Sequence, residues 1–245
     1  MSRYEIVVVS MPSSLDRRAR MGEVLNRRVG LRWSFWDGHT AESEVTGLSS
    51  VADRQVRRFG RALVPPEIGC FKSHFSLLRH FVESGSTPWL LVLEDDVWLD
   101  ENFDLDEVLD FADKRDLRYF RLFAKMYKPA KTIGMLSGLR QVIRFKTDPY
   151  GTQAYFISRD GAKAFLSGLH YVDRPIDVEL GRFWRHGLFP VTVFPFPAVE
   201  MAVPSAIGAE RDIGEGERLH YRADLLLLRV LEKIRKTLAN FRVAL

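Results

Sequence analysis

The sequence predicts an α/β domain built on a largely parallel sheet. Three observations carry that expectation. Short β-branched or apolar runs alternate with stretches of helical composition along the chain. The run Trp89-Leu90-Leu91-Val92-Leu93 is apolar throughout, as a strand buried on both faces must be. It stops at three acids, Glu94, Asp95 and Asp96, and open α/β sheets bind ligands beyond the carboxyl ends of their strands.

Taken in order, Ile6–Val9 reads as a first buried strand, and Asp16–Arg28 as the helix after it. Trp33–Trp36 is a second strand, closed by the turn pair Asp37-Gly38. Residues 40–66 are polar and end in Pro65-Pro66, which suggests a mobile loop. Glu67–Val82 has helical composition, with proline just before it, where a helix start tolerates one. After the acidic strand come a helix near Leu105–Ala112 and a strand near Tyr119–Phe123. Residues 126–147 are basic and broken by Pro129, Gly134 and Gly138, so they read as loops or a hairpin. Gln153–Ile157 is a strand, Arg159–Leu166 a helix, Ile176–His186 another helix and Val191–Phe194 a last strand. Pro195, Pro197 and Pro204 oppose regular structure beyond it. Leu225–Val243 is a basic amphipathic helix.

The 245 residues are 46% hydrophobic and 28% charged, an ordinary globular balance that excludes a disordered tail or a collagen-like repeat. Cys70 is the one cysteine, so no disulfide forms within the chain, which fits a reducing compartment. The amino-terminal apolar run is too short for a signal peptide, and no stretch approaches a membrane span. The charge is uneven: residues 222–245 hold six basic and two acidic side chains, the whole net charge of +4. Residues 1–221, expected to form the main domain, are therefore neutral and offer no general nucleic-acid surface.

Two constellations carry chemistry. Three adjacent carboxylates repel unless a cation sits among them, and carboxylate oxygens suit Mg²⁺ or Mn²⁺. Strand alternation would put Glu94 and Asp96 on one side and Asp95 on the other. The plainer reading is a solvated acidic turn; the fully apolar strand before it favours a site. In Glu67–His74, seven residues separate Glu67 from His74, nearly one helical face. That pair either binds a ligand or is a satisfied structural pair. Cys70 has no base nearby in sequence and is not read as a nucleophile.

Several segments, in order, resemble the family 25 glycosyltransferases, a group of bacterial lipooligosaccharide and collagen galactosyltransferases. Val8–Arg18 is similar to the family's opening strand and Arg-bearing helix, and Trp36-Asp37-Gly38 to its second strand end. Glu67-Ile68-Gly69-Cys70 with Ser73-His74, Leu93-Glu94-Asp95-Asp96-Val97, Tyr150–Ser158 with Gly161-Ala162, Pro175-Ile176-Asp177 and Ser205-Ala206-Ile207-Gly208 resemble its later motifs. The match spans roughly residues 4–210 and departs at Met11-Pro12, where the family more often has leucine and a polar residue.

The resemblance implies a GT-A-like fold and transfer of a hexose, galactose first, from a UDP-sugar with inversion. It implies a divalent ion, Mn²⁺ or Mg²⁺, held by Asp95 and Asp96, with Glu94 orienting the site or touching the ribose. It implies donor contacts from Arg17, Asp37, Gly151, Thr152 and Ser205. An inverting transfer needs a base for the acceptor hydroxyl; Asp177 is the first candidate, Glu179 the second and Asp148 a weaker third. Asp177 equally suits a helix cap. The expected acceptor is a bacterial surface glycan or lipid-linked saccharide. The carboxyl-terminal helix, residues 222–245, would then meet an anionic membrane at its cytoplasmic face, or dock on protein. The alternatives are a metal-dependent phosphoryl or nucleotidyl transferase, although the sequence has no P-loop, and a nucleotide-sugar-binding protein without catalysis.

Overall fold

A computed structural model describes residues 2–27, 31–201 and 223–242. Strand β1 (Tyr4–Ser10) lies at the centre of a parallel trio. It pairs in parallel with β2 (Trp33–Asp37) and with β3 (Trp89–Glu94), and their registers bring Ser10 opposite Asp37 and Val9 opposite Glu94. The carboxyl ends of all three strands therefore reach one edge of the sheet. The helix α1 (Leu15–Asn26) crosses between β1 and β2, and α2 (Ala52–Phe59) and α3 (Pro65–Ser84) between β2 and β3.

Eight strands form the main sheet in the order β2-β1-β3-β8-β5-β9-β7-β6. The remaining strands of it are β5 (Tyr119–Arg121), β6 (Ala130–Met135), β7 (Gln141–Phe145), β8 (Ala154–Ser158) and β9 (Val191–Phe194). Among the described residues, β8 and β7 run against the other six strands. The sheet is thus largely parallel in direction but mixed in pairing. Beside it, β4 (Val97–Leu99) pairs antiparallel with β10 (Ala198–Glu200), a two-stranded piece too short to stand out in the sequence.

Each face of the sheet carries its own core. One holds Ile6, Val8 and Leu91 with Met21 and Leu25 of α1 and with Val108 and Leu109 of α4 (Leu105–Lys114). The other holds Val7, Leu90 and Val92 with Phe71, Leu78 and Phe81 of α3 and Phe165 of α5 (Arg159–Leu166). Burial on both faces explains why β3 is continuously apolar.

Two expectations change and a third holds. Residues 40–66 contain α2, and the stretch before it is pinned rather than loose: Lys72 Nζ donates to the carbonyls of Ala41 and Ser43, and His39 N donates to Ser73 Oγ at 2.7 Å. Gly69 permits that approach, because a Cβ there would lie 2.6 Å from the His39 carbonyl oxygen. The helix expected over Ile176–His186 breaks into α6 (Ile176–Leu180) and α7 (Phe183–His186). Gly181 lies at the break, and a Cβ there would meet Asp148 Cγ at 2.3 Å. The hairpin reading of residues 126–147 is realised as β6 and β7.

The carboxyl-terminal helix α8 (Ala223–Arg242) packs on α2 and α7. Leu225 is buried, and Glu232 Oε1 reaches Arg182 at 2.7 Å and Arg174 at 3.3 Å.

Candidate active site

The carboxyl edge of β1 and β3 opens into a cleft of about 590 Å³. Its walls bring together Arg17, Glu94, Asp95, Asp96, Gly151, Thr152 and Asp177, seven of the residues singled out in the sequence. Glu67, Cys70 and His74 of α3 also line it, so the helical face carrying Glu67 and His74 faces the site.

All three acids reach the cleft, contrary to strand alternation, because β3 ends at Glu94 and the chain turns through Asp95 and Asp96. Each is held differently. Glu94 accepts from the Thr152 hydroxyl at 2.5 Å and lies 3.5 Å from His74 Nε2. Burial works to raise its carboxyl, but His74 and then Thr152 outweigh that and hold it below its ordinary value. His74 is fully buried, and its Nδ1 is fixed at 3.0 Å from the Tyr155 hydroxyl. Asp95 accepts from Ser10 Oγ at 2.6 Å and from Arg17 Nη1 at 3.0 Å. Arg17 thus offsets the acidic motif as well as lining the cleft.

Asp96 is the unbalanced end of the motif, and it is buried. Arg17 is 4.0 Å away, and Asp96 Oδ1 is buried with no hydrogen-bond partner among the described residues. Burial first, then Glu94, Glu200 and Asp95, push its carboxyl up to about 7. Glu200 was not singled out in the sequence. Pairing of Glu200 with Val97 and the bond from Met201 N to the Asp96 carbonyl bring it beside the motif. An orphaned carboxylate oxygen among further carboxylates is the donor chemistry that a hard divalent cation fits. Cys70, His74 and Glu94 also place ligand atoms within 4.8 Å of one another. Glu94 Oε1 already accepts from Thr152 and lies beside His74.

Asp177 lies in the first turn of α6, where Pro175 holds the cap position. Its Oδ1 accepts from Val178 N at 2.8 Å, while among the described residues Oδ2 has only a long 3.4 Å contact from Gly151 N. One oxygen therefore settles the helix end and the other remains for the cleft. The Tyr150–Gly151 corner beside it has positive φ at both residues, +61° and +88°. Arg121 holds that corner: fully buried in β5, it donates to the carbonyls of Tyr150 and Gly151 and to Asp148 Oδ1 at 2.9 Å. A lone arginine within the apolar run Tyr119–Phe123 was its only signal in the sequence.

The remaining expectations fare as follows. Glu179 is corrected as a base. It is 3% exposed, does not line the cleft among the described residues, and is ringed by Arg182, Arg174 and Arg185 at 3.1, 3.4 and 2.9 Å. Burial raises its carboxyl, and the three arginines more than reverse that. Asp37 is largely exposed and salt-bridged to Arg18 at 2.5 Å; among the described residues the neighbouring Gly38 lines the cleft and Asp37 does not. Ser205 and Gly208 fall outside the described residues.

Glu179→Gln should take the carboxylate away from Arg185 and leave Arg174 and Arg182 sharing Glu232. Removing one partner of a buried pair costs about 3–5 kcal/mol, so the melting temperature should fall by roughly 10 °C at this size with nucleotide binding retained. Differential scanning calorimetry tests this; lost turnover at an unchanged melting temperature would restore Glu179 to the catalytic list.

Comparison with known proteins decides the family. The model described as glycosyltransferase family 25 (LPS biosynthesis protein) matches residues 3–180. The chain belongs to glycosyltransferase family 25. The lipooligosaccharide biosynthesis protein lic2B of Haemophilus influenzae is 29% identical over 167 residues, covering 64% of this chain and 60% of that protein. Inactive glycosyltransferase 25 family member 3 of Mus musculus is 30% identical over 196 residues, covering 74% of this chain and 32% of that protein. The chain thus spans about a third of the mammalian relative. A solved glycosyltransferase involved in the glycosylation of the major capsid of PBCV-1 aligns over 68% of this chain and 66% of its own, at 14% identity and a TM-score of 0.38. The largely parallel sheet with its flanking helices and the carboxyl-terminal helix stand as the α/β fold expected from the sequence.

Proposed function

We propose that this family 25 member transfers a hexose, galactose first, from a UDP-sugar to a hydroxyl of a bacterial surface glycan or lipid-linked saccharide, with inversion. The observation that supports it is the shared cleft, where an unbalanced acidic motif and a carboxylate with one oxygen left over line the same walls.

Asp96 and Asp95 would hold Mn²⁺ or Mg²⁺, with Glu94 orienting Thr152 and His74 behind them. When bound there, such an ion offsets the negative charge of the UDP diphosphate. The chain's own residues do the rest. Arg17 and Lys125 add positive charge to the same walls. Gly151 and Thr152 let the backbone come close to the sugar. Asp177 Oδ2 takes the proton of the acceptor hydroxyl, whose oxygen bonds to the anomeric carbon from the face opposite UDP. The anomeric carbon–UDP oxygen bond breaks as that bond forms, which inverts the centre. Asp37, beside Gly38, and Ser205 remain donor contacts in this proposal.

The mouse relative's name describes that protein as inactive, which favours a second reading, nucleotide-sugar binding without turnover. The Asp177 variant below separates the two.

The carboxyl-terminal helix α8 supports a membrane location for the acceptor. No helix among the described residues is long and apolar enough to cross a membrane. One side of α8 docks on the protein, while Leu227, Val230, Leu231, Ile234, Leu238 and Phe241 are exposed. At 100° per residue these share one arc, with Lys233 and Arg235 at its two borders. An apolar arc bordered by cations suits peripheral binding at the cytoplasmic face of an anionic membrane. The full chain should float with vesicles containing anionic lipid, and Leu231→Glu/Ile234→Glu should not; equal flotation of both would sink this assignment.

A further inference from the structure

A second cavity, of about 250 Å³, lies under α8 and is separate from the cleft. At roughly 30 Å³ per water it holds about eight waters' worth of volume, room for one sugar residue. Five cations line it: Arg58, Arg174, Arg182, Arg229 and Lys236. Its two acids are already engaged, Glu232 with Arg174 and Arg182, and Asp148 with Arg121 from behind. Burial holds the Lys236 ammonium below its usual range; Asp148 pulls it up and Lys128 pushes it down.

The walls also carry unmet polar atoms. Arg182 Nε, Trp184 Nε1 and Asp148 Oδ2 are buried without a hydrogen-bond partner among the described residues. Each such atom is costly unless something satisfies it. Two N–H donors and one acceptor beside the half-buried Lys236 ammonium describe a polar, negatively charged occupant with hydroxyl groups. The place matters as much as the lining. Tyr150 and Val178 line this cavity, while their chain neighbours Gly151 and Asp177 line the cleft. The two spaces therefore lie on either side of the Tyr150–Gly151 and Asp177–Val178 steps.

Resting on the transferase reading above, we propose that this cavity is the acceptor subsite and takes the acidic group, carboxylate or phosphate, of an anionic saccharide. Arg182, Trp184 and Lys236 grip that sugar, and the hydroxyl to be glycosylated reaches Asp177. Charge-assisted hydrogen bonds from Arg and Lys supply the selectivity over neutral sugars.

The test is saturation-transfer NMR with glucose 6-phosphate, glucuronate and neutral methyl glucoside as probes, on protein saturated with UDP and Mn²⁺ so that the cleft is filled. The two anions should bind at least about tenfold more tightly than methyl glucoside. Lys236→Met and Trp184→Phe, which keep most of the packing, should each weaken the anions about fivefold or more, with melting temperature and UDP affinity retained. Equal binding of the neutral sugar, or anion binding unchanged in both variants, overturns the proposal. UDP binding without anion binding overturns this inference alone. Anion binding without any UDP binding overturns the transferase reading and, with it, the acceptor assignment.

Discussion

Asp96→Asn should lower UDP-sugar turnover by roughly 10²–10³-fold, the scale of losing one group that offsets charge on a leaving diphosphate. The substitution keeps the shape of the side chain and removes its charge. It also removes one of four carboxylates crowded near Arg17, so the melting temperature should hold or rise. Loss of turnover with a stable fold separates a binding role from a structural one. Because burial and its acidic neighbours push Asp96 up to about 7, a cation must displace a proton to bind there. Metal-dependent UDP affinity should therefore strengthen as pH rises through 7 and weaken below it. In Asp96→Asn that pH dependence should vanish. Titration calorimetry of UDP with and without Mn²⁺, at several pH values, reads both effects.

Asp177→Asn should leave UDP-sugar binding within a factor of about two while transfer falls by roughly 10²–10⁴-fold, the usual contribution of a general base. The amide still presents an oxygen to Val178 N, so the first turn of α6 keeps its hydrogen bond. What disappears is the proton-accepting oxygen beside Gly151. A product assay with bound donor held constant checks this. Unchanged transfer in the variant would remove Asp177 from the mechanism. A wild type that binds donor and never transfers would establish the binding-protein reading.

Much of the cleft was readable in the sequence because its signals are local. An apolar strand ending in acids fixes both a position in the sheet and an edge, and the edge is where the cleft opens. The residues that escaped are those assembled by distant pairing. Glu200 joins the motif only because β10 pairs with β4, and both strands have three residues, too short for a hydrophobic pattern. Arg121 acts through carbonyls almost thirty residues further on, a relation that spacing does not encode. Glu179 shows the converse. Two residues from Asp177 in a short acidic helix, it looks equivalent in sequence, yet about 200° of helical rotation turns it into a cluster of arginines. The break between α6 and α7 was hidden for a similar reason. Gly181 is an ordinary residue in the sequence, and only the packing of Asp148 against it makes a side chain there untenable.

The most direct test of the central claim is release of UDP from a panel of UDP-sugars, with Mn²⁺ and with chelator, before any acceptor is known. The account predicts slow hydrolysis of one UDP-hexose, dependent on the metal and lost in Asp96→Asn. No hydrolysis of any donor, together with no metal-dependent UDP binding, would contradict it.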